Sequence, residues 1–259
     1  MVNMKDFEKL LKLGVFSFAD VINLVGNRET AHSKIYRLVQ KGYIKSVKRN
    51  LYAAVSLETS QTIVNKYQIG SKLTKSAYVS HHSAFEYYGL ANQVFNEVYI
   101  SSSERFNNFE FEGISYKFIR SKFNDGVLEP KNYSGVRVTD IERTVLDGIK
   151  DFEKIGGLEE LLQCLDMATY LDSKKLEQYL DLYNLQVLYQ KTGYILEYYK
   201  DKLKLKDSFF KFCVTKIGKS IRYLFKGINS DNSFYNSKWQ IVAPKNLMII
   251  NDQGGSELV

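Results

Sequence analysis

The chain has 259 residues, of which 44% are hydrophobic, so it can build a sizeable core and is not a disordered protein. No window of about 18 consecutive apolar residues occurs, and the N-terminus lacks the apolar core of a signal peptide, so we expect neither a membrane span nor secretion. The 36 Lys and Arg residues outnumber the 29 Asp and Glu residues, and this net charge of +7 favours a polyanionic partner.

The N-terminal part of the chain is patterned as three helices followed by a β-hairpin. Ser17 and Asp20 have the spacing of a capping box, which predicts the start of the second helix. Gly42 is the residue expected just past the end of the third helix, and Arg49 and Asn50 supply a turn within the hairpin. The predicted helices span residues 4–13, 18–24 and 28–41, and the hairpin spans residues 43–52. This order is typical of a winged helix-turn-helix, although any small three-helix unit with a β-ribbon shares it.

The third helix has an apolar stripe and a polar face that could read DNA. The stripe is formed by Ala31, Ile35, Leu38 and Val39. We expect the helix to enter the major groove, with Arg37 best suited to a guanine, while the hairpin holds the phosphate backbone or reaches the minor groove. The candidate DNA-binding residues are Arg28, Thr30, Ser33, Lys34 and Arg37 on the helix, and Lys45, Lys48, Arg49 and Asn50 on the wing.

The remaining sequence predicts an α+β domain whose C-terminal part is mostly helical. A strand pattern over 136–138 runs into Thr139-Asp140-Ile141-Glu142, which reads as a capping box. The other predicted helices span 57–73, 80–89, 158–170, 173–183, 186–199 and 207–225, the other strands span 96–101 and 234–242, and a hairpin over 109–120 turns at Glu112-Gly113. We therefore expect a winged module over residues 1–56 and a larger domain over 57–259 that contains a small mixed sheet and ends in a loose tail over 251–259.

The predicted helix over 207–225 is basic on one face. Lys211, Lys219, Arg222 and Lys226 fall opposite its apolar residues. Three interpretations remain open: a solvated helix face, a second surface that contacts phosphates, or a dock for an acidic partner.

The residues that could carry catalysis are better explained by other roles. His81 and His82 diverge by about 100° on a helix, so they cannot share a metal ion as an i, i+4 pair can. Cys164 and Cys213 lie in apolar helical patterns, which indicates buried, reduced thiols. Glu110 and Glu112 could share a face of the hairpin, and a metal-dependent nuclease stays open as a distant alternative. We expect no catalytic residue, no metal ion and no cofactor, and thus no enzyme.

Three segments together resemble the AbiEi family, the antitoxin and transcriptional-regulator half of bacterial AbiE abortive-infection modules. They are KIYRLVQKGYIKSVKRNLYA in the winged segment, YVSHHSAFEYYGLANQVFNEVYIS, and GVRVTDIERTVLDGI, and their order matches over roughly residues 1–150. The resemblance implies a cytoplasmic repressor that binds inverted repeats in double-stranded operator DNA of its own operon. It also implies an antitoxin that counteracts a nucleotidyltransferase toxin without a stable complex and has no membrane partner. The alternative is an antitoxin that inhibits its toxin by direct contact.

Overall fold

The computed structural model describes residues 4–131, 135–226, 228, 233–245 and 247. The helices are α1 (Met4–Leu13), α2 (Phe18–Val25), α3 (Arg28–Gln40), α4 (Lys66–Ser71), α5 (His82–Tyr87), α6 (Ile141–Lys150), α7 (Leu158–Met167), α8 (Ser173–Tyr183), α9 (Gln186–Tyr198) and α10 (Asp207–Thr215). The strands are β1 (Val15–Ser17), β2 (Ile44–Lys48), β3 (Leu51–Ala54), β4 (Tyr78–Val79), β5 (Glu97–Ser102), β6 (Phe109–Phe111), β7 (Ile114–Arg120), β8 (Val127–Leu128), β9 (Val138–Thr139), β10 (Arg222–Tyr223), β11 (Ser233–Asn236) and β12 (Ile241–Pro244). The tail predicted over 251–259 lies outside the described residues.

The chain has an α+β fold with small sheets and a helical C-terminal part, which confirms the predicted fold class. Its residues fall into two compact units. The first unit comprises Met1–Val79, Asn96–Lys122 and Glu129–Val138, and the second comprises Ser80–Phe95, Phe123–Leu128 and Thr139–Val259. The boundary predicted at residue 56 therefore lies inside the first unit.

The N-terminal part of the first unit has the element order of a winged helix. Strands β1, β3 and β2 form a three-stranded antiparallel sheet in that order. Beneath it α1, α2 and α3 pack around a core that includes Phe7, Leu10, Phe16, Val21 and Leu38. The three predicted helices are confirmed to within one residue at each end. Strand β1 was not predicted, because three residues are too few to show alternation.

The rest of the first unit is built on a mixed sheet with the strand order β6-β7-β5-β4-β9. Strand β5 runs parallel to β7, and β4 runs antiparallel to β5 and parallel to β9. The hairpin predicted at Glu112-Gly113 is confirmed, since both residues have positive φ (50° and 76°) between β6 and β7. The helix predicted over 57–73 is wrong, because only α4 is helical there. Asn65 caps α4 by accepting hydrogen bonds from the backbone N–H groups of Tyr67 and Gln68.

The second unit is organised around helices α6 to α10. Its core surrounds Trp239, whose side chain is fully buried. Gly193 of α9 makes room for that ring, since a Cβ there would lie 2.0 Å from an indole carbon. The helices predicted over 158–170, 173–183 and 186–199 are confirmed as α7, α8 and α9, with earlier ends for the first and last. The capping box predicted over 139–142 is wrong, because the cap of α6 is the carboxylate of Asp140, which accepts from the N–H of Arg143 at 3.0 Å.

Two predictions for the C-terminal part are wrong. The helix predicted over 207–225 ends at Thr215, and the chain then continues into β10, which pairs in parallel with β12. The strand predicted over 234–242 is two strands, β11 and β12, joined by a turn that contains Trp239. Pairing with β12 gives backbone N–H groups of this segment their hydrogen-bond partners, since the Leu224 N–H donates to the Val242 carbonyl. These bonds replace the ones that a longer helix would form.

Candidate nucleic-acid interface

The path of the chain into α3 is fixed by the capped start of α2, a glycine turn and the cap of α3. The side chain of Ser17 accepts from the Asp20 N–H, and the Asp20 carboxylate accepts in return from the Ser17 N–H, so the capping box is formed. Gly26 then turns the chain with φ 87°, a conformation that side chains disfavour. The Asn27 side chain accepts from the Thr30 N–H at 2.8 Å and starts α3. These contacts define where each side chain of α3 emerges.

Helix α3 buries one face and exposes the other. Ala31, Ile35 and Leu38 are buried against the core, as predicted, whereas Val39 is exposed and does not belong to the stripe. The predicted contact residues Arg28, Thr30, Ser33 and Arg37 are all exposed. Arg28 lies beside the buried stripe, and the other three lie on the far side of the helix. At about 100° per residue, Ser33 projects almost directly away from the buried stripe, and Arg37 projects about 50° to one side of that direction. These two side chains are the best placed of the predicted set to reach base edges.

Lys34 does not share that exposed face. Its side chain is 12% exposed and its ammonium pairs with the carboxylate of Asp6 on α1. Because Lys34 is paired with an acid of the same chain, it is less available to a phosphate than its sequence position indicates. The signal that sequence reasoning missed is Asp6, 28 residues earlier.

Two outward residues of α3 were not among the predicted contacts. Tyr36 is 67% exposed, and Gln40 is exposed one turn further along the same face. Tyr carries a ring and a hydroxyl, and Gln can bond an adenine edge through two hydrogen bonds. Their position at i+3 and i+7 from Ser33 could have identified both from the sequence.

The tip of the wing is exposed. Arg49 and Asn50 form the turn between β2 and β3, and Asn50 has φ 63°, which Asn tolerates better than most residues. A bulge between Ser46 and Lys48 precedes this turn. The tip therefore presents one guanidinium and one amide on a defined backbone, which suits contacts to phosphates or the minor groove.

The stem of the wing is occupied by contacts inside the first unit. Lys45 pairs with the carboxylate of Glu112. The ammonium of Lys48 lies 5.2 Å from the ring centre of Phe106, and burial lowers the pKa of Lys48. The structure thus separates the four predicted wing residues into an exposed pair at the tip and a contacting pair at the stem.

The second basic surface does not exist as one helix face. Lys211 lies on α10, whereas Lys219, Arg222 and Lys226 lie beyond its end at Thr215. Other lysines of this region form ion pairs, such as Lys216 with Asp181 at 2.7 Å and Lys202 with Asp166 at 2.9 Å. The predicted alignment of four cations is therefore wrong, because it depends on a helix that the chain does not continue.

The two histidines belong to buried packing in the second unit. His82 lies 3.3 Å from the carboxylate of Glu160 and stacks on Phe95, with ring centres 3.9 Å apart. Glu160 also accepts from the backbone N–H groups of Asn92 and Gln93. This buried pair holds a loop in place, and its burial leaves the imidazole no access to a substrate.

His81 links Ser80 to Asp151. Its Nδ1 lies 2.9 Å from the Ser80 hydroxyl, and its Nε2 lies 3.4 Å from the Asp151 carboxylate. Ser80 and His81 are buried, and His81 has φ 55°, an uncommon conformation for a residue other than glycine. Burial alone would raise the pKa of Asp151, but hydrogen bonds from His81 and Lys150 and their charges outweigh it and hold that pKa well below its ordinary value.

The lowered pKa of Asp151 predicts a loss of stability in acid. The folded state favours the carboxylate, so its stabilisation is complete above the unfolded pKa of about 3.9 and is lost as the pH falls below it. We expect Asp151→Asn to reduce the difference between denaturant midpoints measured at pH 6 and pH 3. Asp201→Asn, at an exposed position, serves as the control. Equal acid sensitivity of wild type and Asp151→Asn would contradict the assignment.

The acidic pair of the β6–β7 hairpin is not arranged as a metal site. Glu110 is exposed on β6, whereas Glu112 at the turn bonds to Lys45 and accepts from the Thr62 hydroxyl at 2.8 Å. Across residues 4–131 and the described segments that follow, no group of three His, Cys, Asp or Glu side chains is placed to hold a metal ion. Within the same residues, no helix is long and apolar enough to cross a membrane.

Comparison with known proteins gives a similarity of fold. No protein-family profile matches the chain, and no curated protein is significantly similar to it in sequence. Among solved structures, the chain is similar to the crystal structure of the Rv2827c protein from Mycobacterium tuberculosis, with a TM-score of 0.62 and 15% identity. The similarity covers 88% of this chain and 86% of that one, so the two proteins share their architecture over most of their length.

Proposed function

We propose that this chain is a cytoplasmic DNA-binding repressor that controls its own operon and acts as the antitoxin to a nucleotidyltransferase toxin. The observation that carries the DNA-binding half is the exposed face of α3, where Ser33 and Arg37 project from a helix whose start is capped by Asn27. The antitoxin half rests on the resemblance of three sequence segments to the AbiEi family.

The geometry supports a division of the contacts between helix and wing. Arg37 can bond the O6 and N7 atoms of a guanine, which the major groove presents in a pattern that distinguishes the base pairs. Arg49 and Asn50 at the wing tip meet the backbone or the minor groove and supply affinity with little sequence information. Lys34, Lys45 and Lys48 are held by contacts to other residues of the first unit and are not proposed as direct DNA contacts.

The first test measures binding to the DNA upstream of this gene. Fluorescence anisotropy compares a duplex that contains the inverted repeats with a scrambled duplex of equal length and composition, at several salt concentrations. We expect the operator to bind at least about 10³-fold more tightly, with an affinity for both duplexes that falls as salt rises. Equal affinity for the two duplexes would overturn the proposal of a sequence-specific repressor.

The second test separates the two antitoxin mechanisms. The chain and the neighbouring nucleotidyltransferase are expressed together, growth is followed, and one of the two proteins is purified by an affinity tag. We expect growth to be rescued. We also expect the untagged protein not to be retained with the tagged one during purification. A complex that survives gel filtration would instead establish inhibition by direct contact.

A further inference from the structure

The stem of the wing is attached to the β6–β7 hairpin by an acid. Glu112 bonds to the ammonium of Lys45 on β2 and, through its other oxygen, to the hydroxyl of Thr62. Burial alone would raise the pKa of Glu112, but the hydrogen bonds from Lys45 and Thr62 and the charge of Lys45 lower it. The carboxylate therefore joins the wing to two other segments of the first unit.

A second contact holds the outer end of β2. The ammonium of Lys48 lies 5.2 Å from the ring centre of Phe106 and 5.7 Å from that of Phe109. Phe109 in turn stacks on Tyr116 of β7, with ring centres 4.9 Å apart and planes 6° apart. Two aromatic rings around one ammonium favour a single side-chain position. Immediately before the turn, Lys48 is thus fixed by Phe109 of the hairpin and by Phe106 of the loop that precedes it.

These contacts suit a role in positioning, because the groups that hold Lys45 and Lys48 are poorly suited to contact DNA themselves. A carboxylate repels phosphates, and rings that surround a lysine are not available to bases. The fixed residues lie directly before Arg49 and Asn50, which remain exposed. Holding β2 in one orientation limits the conformations of the tip and so reduces the entropy lost when the tip meets DNA.

We infer that the β6–β7 hairpin and the loop before it are part of the DNA-binding element. Glu112, Phe106 and Phe109 are positioning residues that hold the wing through Lys45 and Lys48. The inference rests on the proposed function, because it assigns these residues a role in operator binding. It also places the functional limit of the winged module well beyond residue 56.

The first experiment compares Glu112→Gln with Glu110→Gln in the full-length protein. Each substitution removes one negative charge from the same hairpin, and neutralising an acid near DNA would by itself tighten binding. We expect Glu112→Gln to weaken operator binding about two- to fivefold, and Glu110→Gln to leave it unchanged or slightly tighter. Tighter or unchanged binding by Glu112→Gln would overturn the inference.

The second experiment compares two adjacent cations of the wing. Arg49→Gln is expected to flatten the dependence of log K on log salt by about one unit, because it removes a phosphate contact. Lys48→Gln is expected to weaken binding without changing that slope, because its ammonium is held by rings. A slope change of similar size for Lys48→Gln would make Lys48 a direct phosphate contact and would contradict the inference.

A measurement without DNA distinguishes a failure of the inference from a failure of the proposed function. Hydrogen exchange of the β2 and β3 amides is followed in the free protein by mass spectrometry. We expect faster exchange in Glu112→Gln than in wild type, and wild-type exchange in Glu110→Gln. Unchanged exchange in Glu112→Gln would overturn the inference whatever the DNA result. Faster exchange without any operator binding would instead overturn the proposed function, while the contact that holds the wing would stand.

Discussion

Arg37→Ala is expected to weaken binding to the operator by about 1 to 3 kcal/mol, or roughly 5- to 150-fold, while binding to random DNA changes far less. Arg37 projects from the exposed face of α3, opposite Ala31, Ile35 and Leu38. Its truncation removes a planar donor pair from the groove but leaves the buried stripe and the cap at Asn27 intact. The loss should therefore appear as lost discrimination at one base pair and not as unfolding.

The measurement is a competition series in which each operator base pair is substituted in turn. Wild type should lose affinity sharply at the position read by Arg37, and Arg37→Ala should be insensitive there. Lys12→Ala removes one positive charge from an exposed site on α1 and controls for net charge. Equal losses of Arg37→Ala on operator and random DNA would make Arg37 a backbone contact.

Arg143→Met is expected to lower the free energy of unfolding of the second unit by about 3 to 5 kcal/mol. Arg143 is 3% exposed, and its guanidinium donates to the carbonyls of Phe123 and Asp125. It also lies 3.6 Å from the Asp147 carboxylate and 3.9 Å from the ring centre of Phe123. Methionine fills a similar volume but leaves a buried carboxylate without its cation.

Trp239 makes this measurement specific to the second unit. It is the single tryptophan of the chain and lies in that unit's core, so its fluorescence reports unfolding there. Urea titrations of Arg143→Met are compared with those of Lys174→Met, an exposed position on α8 where a change within about 0.5 kcal/mol is expected. If Arg143→Met lowered the free energy of unfolding by less than about 1 kcal/mol, the residues around Arg143 would have to rearrange to compensate for the lost guanidinium.

The elements that the sequence predicts well are those specified by local signals. Ser17, Asp20 and Asn27 act on backbone groups three residues away, so the starts of α2 and α3 are visible in the sequence. Similarly, Glu112-Gly113 marks its own turn through positive φ. By contrast, α10 ends at Thr215 because β10 pairs with a strand that begins at Ile241, a distant partner that no local pattern contains.

The same distinction applies to the candidate site. Exposure of Ser33 and Arg37 follows from helix periodicity, since the buried residues of α3 recur on one side. The partners of Lys34 and Lys45 lie 28 and 67 residues away in the chain and could not be identified from charge patterns. From the sequence alone, a lysine on a predicted wing is interpreted as a phosphate contact, because the acid that pairs with it lies far away in the chain. The sequence therefore overstated the number of cations available to DNA.

The link between Lys45 and Glu112 has a consequence for how such proteins diversify. Recombination that exchanges an N-terminal segment ending anywhere between these positions would bring together a wing and a hairpin that had never been selected as a pair. Productive chimeras should therefore have their crossover after β7. Among natural relatives, the residues that replace positions 45 and 112 should vary jointly, so that a change of charge at one is accompanied by a complementary change at the other.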